Sequence, residues 1–336
     1  MNTLRGILLL ASTFALGCNN ANVNNADAGV DMAASPDLQV NPVDRGRYIM
    51  NNVGLCTFCH TPLNADGTRD MTRLFAGWDC LVDLTPNDPT TGCLSSANLT
   101  PDPTTGLGMW TDAQIMNAFR NGMDNQGMPL APVMPYWAFH NMMDADAMAI
   151  VAYLRTLTPV SHKVTAKQPP WTTIPAATPI DPNAIPMPAA NAPNHDSAVR
   201  GRYLASMIGL CVDCHSPMAA MNAPTPIDTT KLFSGGRIFT AAQLGLMSPP
   251  YPMMITTTNL TQDATGLLGW TAADVLKAFK MGLDRNNKAV CASTHGSTTS
   301  SYAGLTDRDA MDIANYVVTL PPIVDNTGPT CEGPTN

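Results

Sequence analysis

The sequence predicts an all-α protein built from two copies of one helical unit. Three observations favour this fold class. Two long segments of the chain resemble each other, their apolar residues recur at helical spacing, and no segment shows the strict polar–apolar alternation of a half-buried strand. A chain of 336 residues is long enough for two small domains, each with its own core.

The two copies align over three pairs of segments. These pairs are DRGRYIMNNVGLCTFCHTP (from Asp44) with VRGRYLASMIGLCVDCHSP (from Val199), NLTPDPTTGLGMWTDAQIMNAFRNGMD (from Asn98) with NLTQDATGLLGWTAADVLKAFKMGLD (from Asn259), and DADAMAIVAYLRTLTPV (from Asp144) with DRDAMDIANYVVTLPPI (from Asp307). The repeat length of about 155 residues is that of a duplicated domain rather than of a solenoid unit. We call residues 42–160 the first copy and residues 197–336 the second copy.

Each copy is predicted to contain three helices. Thr111 can cap the N-terminus of the second helix and Gly122 can end it. Asp144 can cap the third helix, and Pro159 stops it. The predicted helices are Arg45–Val53, Asp112–Arg120 and Ala145–Leu157 in the first copy, and Gly201–Met207, Ala272–Lys280 and Arg308–Leu320 in the second.

The composition divides the chain into five segments. They are a signal segment (1–18), a flexible tether rich in Asn, Ala and Asp (19–41), the first domain (42–160), a Pro-rich linker (161–196) and the second domain (197–336). The proline content of the linker favours an extended, semi-rigid conformation.

The N-terminus has the pattern of a secretion signal. Arg5 provides a positive start, and the apolar stretch 6–16 is too short to span a bilayer. The following Gly-Cys pair resembles a bacterial lipoprotein signal, in which Cys18 becomes the lipidated first residue; an ordinary cleaved signal peptide is the alternative. Asn19 favours sorting to the outer membrane. We therefore expect a periplasmic or cell-surface protein, anchored in the outer membrane through Cys18.

The nine cysteines are consistent with an oxidising compartment. Besides Cys18, four belong to two CxxCH motifs. The remaining four can form two disulfides, with Cys80–Cys93 closing a short loop and Cys291–Cys331 tying the C-terminal tail to the second domain. Free thiols or another pairing are the alternatives.

Two CxxCH motifs occupy the same place in the two copies, and they indicate covalent haem attachment. The residues are Cys56, Cys59 and His60 in the first copy, and Cys211, Cys214 and His215 in the second. Two cysteines on one turn can form thioethers with the two vinyl groups of one porphyrin, and the adjacent histidine can bind the iron. A zinc ribbon would need four ligands in each site, and a thioredoxin-like pair would need a βαβ setting. The sequence suggests neither, so we expect two haems c.

The sixth ligand of the first iron is predicted to be Met134. It lies in the proline-bounded segment PVMPY before the last helix, and a thioether held in a stiff loop suits low-spin iron. Met128 is the competing methionine in this region.

The second copy lacks this methionine. When the copies are aligned on Trp110 and Trp270, the position of Met134 corresponds to Thr294, and His295 follows it. An imidazole at this position can bind iron, which would give the second haem two histidine ligands. The alternatives are a surface histidine with an open iron position, or ligation by Met253, Met254, Met281 or a Cys291 thiolate.

With these motifs, the chain resembles the tandem class I cytochrome c domains of bacterial dihaem cytochromes, especially the cytochrome subunits of periplasmic alcohol, gluconate and related dehydrogenases. The resemblance covers residues 42–160 and 197–325. It rests on GRY before CxxCHTP, on NLTPDPTTGLGMWT, on VMPY and on the helix with AYLRTL. It implies that His60 and Met134 are axial ligands. It also implies that the first and last helices of each domain cross, at Gly46 and Tyr153 and at Gly201 and Tyr316.

The expected function is extracytoplasmic electron transfer between redox protein partners. The formal charge of −8 argues against nucleic acid as a partner and suits either a basic protein partner or simple solubility. If His295 binds, the second haem should have the lower potential, and electrons should pass from it to the first. The rival hypothesis is an enzyme, a peroxidase or a thiol or thiosulfate oxidant, that uses an open second iron; a scaffold lipoprotein is a third.

Overall fold

The computed structural model describes residues 40–220, 223–240, 254–290 and 301–324, and the backbone of residues 330–331. Several predictions fall outside these residues. They concern Cys18 and the signal segment, nearly all of the tether, Met253, His295 and the Cys291–Cys331 disulfide.

The same order of helices occurs in both copies. In the first copy these are α1 (Pro42–Tyr48), continued by a π-helical turn (Ile49–Val53), α2 (Cys56–His60), α3 (Asp112–Asn121), α4 (Tyr136–Phe139) and α5 (Asp144–Leu154). In the second copy they are α6 (His195–Tyr203), continued by a π-helical turn (Leu204–Ile208), α7 (Cys211–Cys214), α8 (Ala272–Met281) and α9 (Asp307–Val317). Short 3₁₀ turns lie at Met71–Arg73, Pro182–Ala184 and Ser301–Gly304.

The capping signals place most of these helices correctly. Thr111 and Gln114 form a capping box at the start of α3, and Gly122 ends the helix with a left-handed φ of 68°. The prediction for α5 was wrong at both ends. Asp144 is the first helical residue and Met143 the N-cap, and the helix ends at Leu154 rather than Leu157. The Asp144 carboxylate accepts a hydrogen bond from Arg120 (2.5 Å).

The first and last helices of each copy pack together through a glycine, as expected. A Cβ atom placed on Gly46 would lie 2.9 Å from Tyr153 Cβ, and one placed on Gly201 would lie 2.9 Å from Tyr316 Cβ. Only glycine allows this approach, because the added atom would also overlap a main-chain carbonyl of the facing helix. The buried hydrophobic side chains of both copies join into one cluster.

The all-α prediction was wrong in part, because each copy also contains a small antiparallel sheet. In the first copy β1 (Trp78–Asp83) pairs with β2 (Cys93–Ser96). In the second copy β4 (Met254–Thr256) lies between β3 (Ile238–Thr240) and β5 (Thr330–Cys331).

The sequences of β1 (WDCLVD) and β2 (CLSS) do not alternate strictly between polar and apolar residues. The β1–β2 pair is held by other means as well. A disulfide joins Cys80 to Cys93 across the pair. The N–H groups of Trp78 and Cys80 donate to the hydroxyls of Ser96 (2.9 Å) and Ser95 (3.1 Å). The hydropathy pattern of the sequence therefore does not predict the β1–β2 sheet.

The Pro-rich segment 161–196 contains a 3₁₀ turn and the first two residues of α6, and it contacts both copies. The Ile180 N–H donates to the Trp137 carbonyl in the first copy (3.0 Å). In the second copy the Tyr316 hydroxyl donates to the Pro186 carbonyl (3.1 Å). The side chains of Ile180 and Ile185 are buried. The segment is thus packed between the copies.

Candidate functional site

The first CxxCH motif forms a helical turn of its own. Leu55, with a left-handed φ of 55°, breaks the preceding helix, and α2 then spans Cys56–His60. Because residues three apart share a face of a helix, Cys56 and Cys59 project to the same side. The Thr61 hydroxyl, one residue beyond the motif, accepts a hydrogen bond from the Phe75 N–H (3.1 Å) and fixes the end of the turn.

His60 is buried and held in one orientation by the small sheet. Its Nδ1 lies 2.8 Å from the carbonyl oxygen of Ala97, the residue after β2. A carbonyl oxygen only accepts, so Nδ1 carries the proton and Nε2 carries the lone pair. Burial lowers the pKa of His60, opposed by this hydrogen bond, and favours the neutral ring. Nε2 of a neutral, oriented imidazole is a suitable ligand for iron.

The second CxxCH motif repeats this arrangement. The Nδ1 atom of His215 lies 2.8 Å from the Thr258 carbonyl oxygen, just beyond β4. The Phe233 N–H donates to the Ser216 hydroxyl (3.0 Å), as Phe75 does to Thr61 in the first copy. The Gly235 N–H donates to the His215 carbonyl (2.8 Å). Each copy thus presents two thiols and one histidine of defined tautomer.

The four thiols have the wrong electrostatics for a thiol–disulfide redox pair. Burial raises the pKa to about 12 for Cys56, Cys211 and Cys214, and to about 11 for Cys59. Reactive redox cysteines instead have a lowered pKa. Two partly buried, neutral thiols beside a histidine on the same turn form a donor set that suits covalent haem attachment, and the residues present therefore fit a haem c in each copy.

A guanidinium group lies beside each motif. Arg69 stacks between the rings of Phe58 (4.7 Å to the centroid) and Trp78 (5.2 Å). In the second copy Arg237 donates to the Asp213 carbonyl (2.8 Å). These arginines are not equivalent in the alignment, so the two copies supply this positive charge from different positions.

Met134 lies in a tight turn that is fixed at both ends. The Tyr136 N–H donates to the Met134 carbonyl (2.8 Å), and the Trp137 indole N–H donates to the Pro132 carbonyl (3.0 Å). The Met134 side chain is partly buried and packs on the core, whereas Met128 is 53% exposed. This difference favours Met134 over Met128 as the candidate sulfur ligand.

In the second copy no described methionine takes the place of Met134. Met281 at the end of α8 is 61% exposed, and Met254 on β4 is 42% exposed. His295, Cys291 and Met253 lie outside the described residues.

The structure brings the two CxxCH motifs next to each other. A Cβ placed on Gly54 would lie 3.3 Å from the Ile208 carbonyl oxygen, and one placed on Gly209 would lie 3.7 Å from the Val53 carbonyl oxygen. The charge of Asp213 also contributes to the raised pKa of Cys59 in the other copy. The two candidate haem sites therefore share a boundary.

The chain matches several bacterial cytochromes over most of its length. It is 29% identical over 316 residues to the alcohol dehydrogenase (quinone) cytochrome c subunit of Gluconacetobacter polyoxogenes, which covers 90% of this chain and 60% of the relative. It is 28% identical over 304 residues to the gluconate 2-dehydrogenase cytochrome c subunit of Pantoea cypripedii, covering 87% of this chain and 63% of the relative. The chain is similar to dehydrogenase cytochrome c subunits.

A third relative is a diheme cytochrome c-type protein of Cereibacter sphaeroides. It is 24% identical over 279 residues, covering 80% of this chain and 83% of the relative. The chain spans only about 60% of the length of the two dehydrogenase subunits named above. No family model matches the chain.

Sequence reasoning missed the carbonyl groups that orient the two histidines. A signal was present, because Ala97 and Thr258 each precede the repeated Asn-Leu-Thr sequence. None of the helices in the described part of the chain is long and apolar enough to cross a membrane.

Proposed function

We propose that this chain is an extracytoplasmic electron carrier with two covalently attached haems c, one in each of the predicted domains 42–160 and 197–336. The observation that carries the proposal is the repeated site. In both copies a CxxC pair is followed directly by a histidine, and Nδ1 of that histidine is bonded to a main-chain carbonyl 2.8 Å away. The similarity to dehydrogenase cytochrome c subunits supports it.

When bound, the haem iron supplies reversible one-electron exchange. The chain's own residues do the rest. The cysteines hold the porphyrin, and the carbonyls of Ala97 and Thr258 keep Nε2 of His60 and His215 unprotonated and oriented. The buried surroundings limit access of water and set the polarity of each site.

The ligands proposed for the iron differ between the copies. His60 and Met134 form the first pair, and His215 and His295 the second. Two imidazoles give a lower potential than an imidazole with a thioether, so we expect the second site to be the low-potential one.

The proposed partner is a dehydrogenase that passes electrons to this chain, with a further redox protein as acceptor. The Cys80–Cys93 disulfide suits an oxidising compartment. A lipid on Cys18 would hold the carrier at the outer membrane, and the docked Pro-rich segment keeps the two copies together beyond that anchor.

A second candidate function follows from the missing methionine. No methionine lies between Met281 and Met311. If His295 does not bind either, the second iron has an exchangeable position, and a peroxidase or a thiol or thiosulfate oxidant becomes the better assignment.

The test is a spectroscopic redox titration of the mature protein beside the variant His295→Ala, with His195→Ala as the matched control. His195 lies at the start of α6, and its ring contacts the neighbouring Asp196 carboxylate (3.2 Å). We expect two haems per chain, two low-spin centres at separate potentials, and a change in the lower potential alone in His295→Ala. A high-spin centre in the unmutated protein would favour the enzyme. Fewer than two haems would refute the proposal.

A further inference from the structure

The two copies contact each other through a reciprocal pair of tyrosines. The Tyr48 hydroxyl, in the first copy, donates to the Asp309 carboxylate in the second (2.6 Å). The Tyr203 hydroxyl, in the second copy, donates to the Asp146 carboxylate in the first (2.7 Å). Tyr48 and Tyr203 are the same position of the repeat, the last residue of Gly-Arg-Tyr, and Asp146 and Asp309 are also equivalent.

The exchange extends to the next set of hydrogen bonds. The Tyr48 hydroxyl accepts from the Thr306 N–H and the Tyr203 hydroxyl accepts from the Met143 N–H, both at 3.1 Å. Thr306 and Met143 are the N-cap residues of α9 and α5. Each tyrosine therefore binds the start of the other copy's last helix with both its proton and its lone pair.

The acceptor carboxylates are fixed inside their own copies. Asp146 is fully buried and accepts from Nε of Arg45 (2.8 Å), and Asp309 is 2% exposed and accepts from Nη2 of Arg200 (2.5 Å). Arg45 and Arg200 are equivalent positions as well. Since the ion pairs hold the carboxylates in place, each tyrosine meets a rigid acceptor.

This reciprocity is the signature of an isologous interface, in which residue i contacts residue j and j contacts i. The main-chain contacts between Gly54 and Ile208 and between Gly209 and Val53 are reciprocal too. A pseudo-two-fold axis thus runs between the π-helical turns, each of which leads directly into a CxxCH motif.

We infer that Tyr48 and Tyr203 are positioning residues that clasp the two copies about this axis and fix the distance and orientation between the two CxxCH motifs. We call the two hydrogen bonds Tyr48–Asp309 and Tyr203–Asp146 the clasp. These bonds do not depend on any cofactor. Its consequence for haem spacing rests on the proposed function, in which electron exchange between the sites depends on a fixed, short separation.

The test uses the full-length mature protein and the variants Tyr48→Phe, Tyr203→Phe and the double variant. Phenylalanine keeps the ring and removes the hydroxyl, so the core packing is preserved. The matched control is Tyr153→Phe, because Tyr153 packs edge-on against Phe75 inside the first copy.

The first measurement is native-state hydrogen exchange of the segments 49–54 and 204–209, where the copies meet. A hydrogen bond to a carboxylate is strong enough that its loss should raise exchange there roughly tenfold or more for each tyrosine. Because the two hydrogen bonds share no donor or acceptor, the exchange rate in the double variant should rise by about the product of the two single effects, roughly a hundredfold. Exchange in α3 and α8 should change less, and Tyr153→Phe should not single out the two segments.

The second measurement is the Soret circular dichroism, in which two haems held at a fixed angle give a coupled, bisignate band. We expect the double variant to lose most of this coupling at unchanged haem content, and the control to keep it. Interface exchange within twofold of the unmutated protein in the double variant would overturn the clasp. Altered exchange with an intact coupled band would overturn its role in haem spacing. A chain with fewer than two haems would refute the proposed function alone, because the exchange measurement still decides the clasp.

Discussion

Replacing Asp146 by asparagine should destabilise the protein far more than the same change two residues earlier in α5. The Asp146 side chain is fully buried. It accepts from Nε (2.8 Å) and Nη2 (3.0 Å) of Arg45 and from the Tyr203 hydroxyl (2.7 Å). Asparagine has one acceptor oxygen and would present an NH₂ group to these donors.

The expected loss of stability follows from the positive charge of Arg45, which would no longer face a carboxylate at position 146. Asp146→Asn leaves the buried Arg45 guanidinium without this carboxylate, and breaking one side of a buried ion pair costs about 3–5 kcal/mol. The Asp144 side chain is 81% exposed and pairs with Arg120. An exposed pair is worth up to about 1 kcal/mol, and the charge at the helix N-terminus adds up to about 1 kcal/mol. The free energies of unfolding of the two variants should therefore differ by at least about 1 kcal/mol, and by about 3–5 kcal/mol if Asp144→Asn costs nothing.

The assay is urea unfolding of the mature protein, followed by far-ultraviolet circular dichroism at neutral pH. Asp146→Asn should lower the transition midpoint strongly, and Asp144→Asn only slightly. Equal midpoints for the two variants would refute the reasoning, because the structure would then assign too much weight to the buried pair.

Three further changes give expected outcomes of their own. Gly46→Ala places a methyl group against the facing helix, and thermal unfolding should show that the free energy of unfolding falls by about 1–3 kcal/mol, although alanine has the better helix propensity. An unchanged or raised midpoint temperature would contradict this. Replacing Cys80 and Cys93 together by serine removes a disulfide between residues 13 positions apart, and denaturant unfolding should show that the free energy of unfolding falls by about 3 kcal/mol. An unaltered denaturation midpoint would contradict this prediction. Burial and the neighbouring carboxylates raise the pKa of Tyr48 and Tyr203 above the ordinary value of 10.0, so their contribution to stability is complete below that pH and declines as the pH rises above it. In urea unfolding from about pH 9 to 11, the double phenylalanine variant should therefore lose stability less steeply than the unmutated protein, and equal slopes would contradict the assignment.

The helices and the CxxCH turns were predictable because their signals are local. Thr111 and Gly122 mark the ends of α3 by their own side-chain and backbone chemistry, and the two motifs need only one turn of chain. The β1–β2 pair was not predictable, since Ser95, Ser96 and a disulfide hold it rather than a hydrophobic pattern.

The contacts between the copies could not be predicted from the sequence for a different reason. Aligning the repeat shows that Tyr48 corresponds to Tyr203, but it does not show whether either one binds within its own copy or across to the other. The structure answers this for both, and the same alignment then explains why the contacts come in pairs. The histidine-binding carbonyls are main-chain atoms, so only their place before Asn-Leu-Thr marked them.

One difference between the copies lies in the loop that follows α3 and α8. After α3 and α8 the two chains follow the same path, because the Leu130 N–H donates to the Gly122 carbonyl (2.7 Å) and the Val290 N–H donates to the Gly282 carbonyl (2.9 Å). The sequences part after this point, where the first copy continues to Met134 and the second enters the segment 291–300. The helix pairs, the carbonyls that orient the histidines and the reciprocal tyrosines are the same in both copies. The proposed difference in sixth ligand, and with it the proposed difference in potential, therefore falls in a loop outside the frame that holds the two sites together.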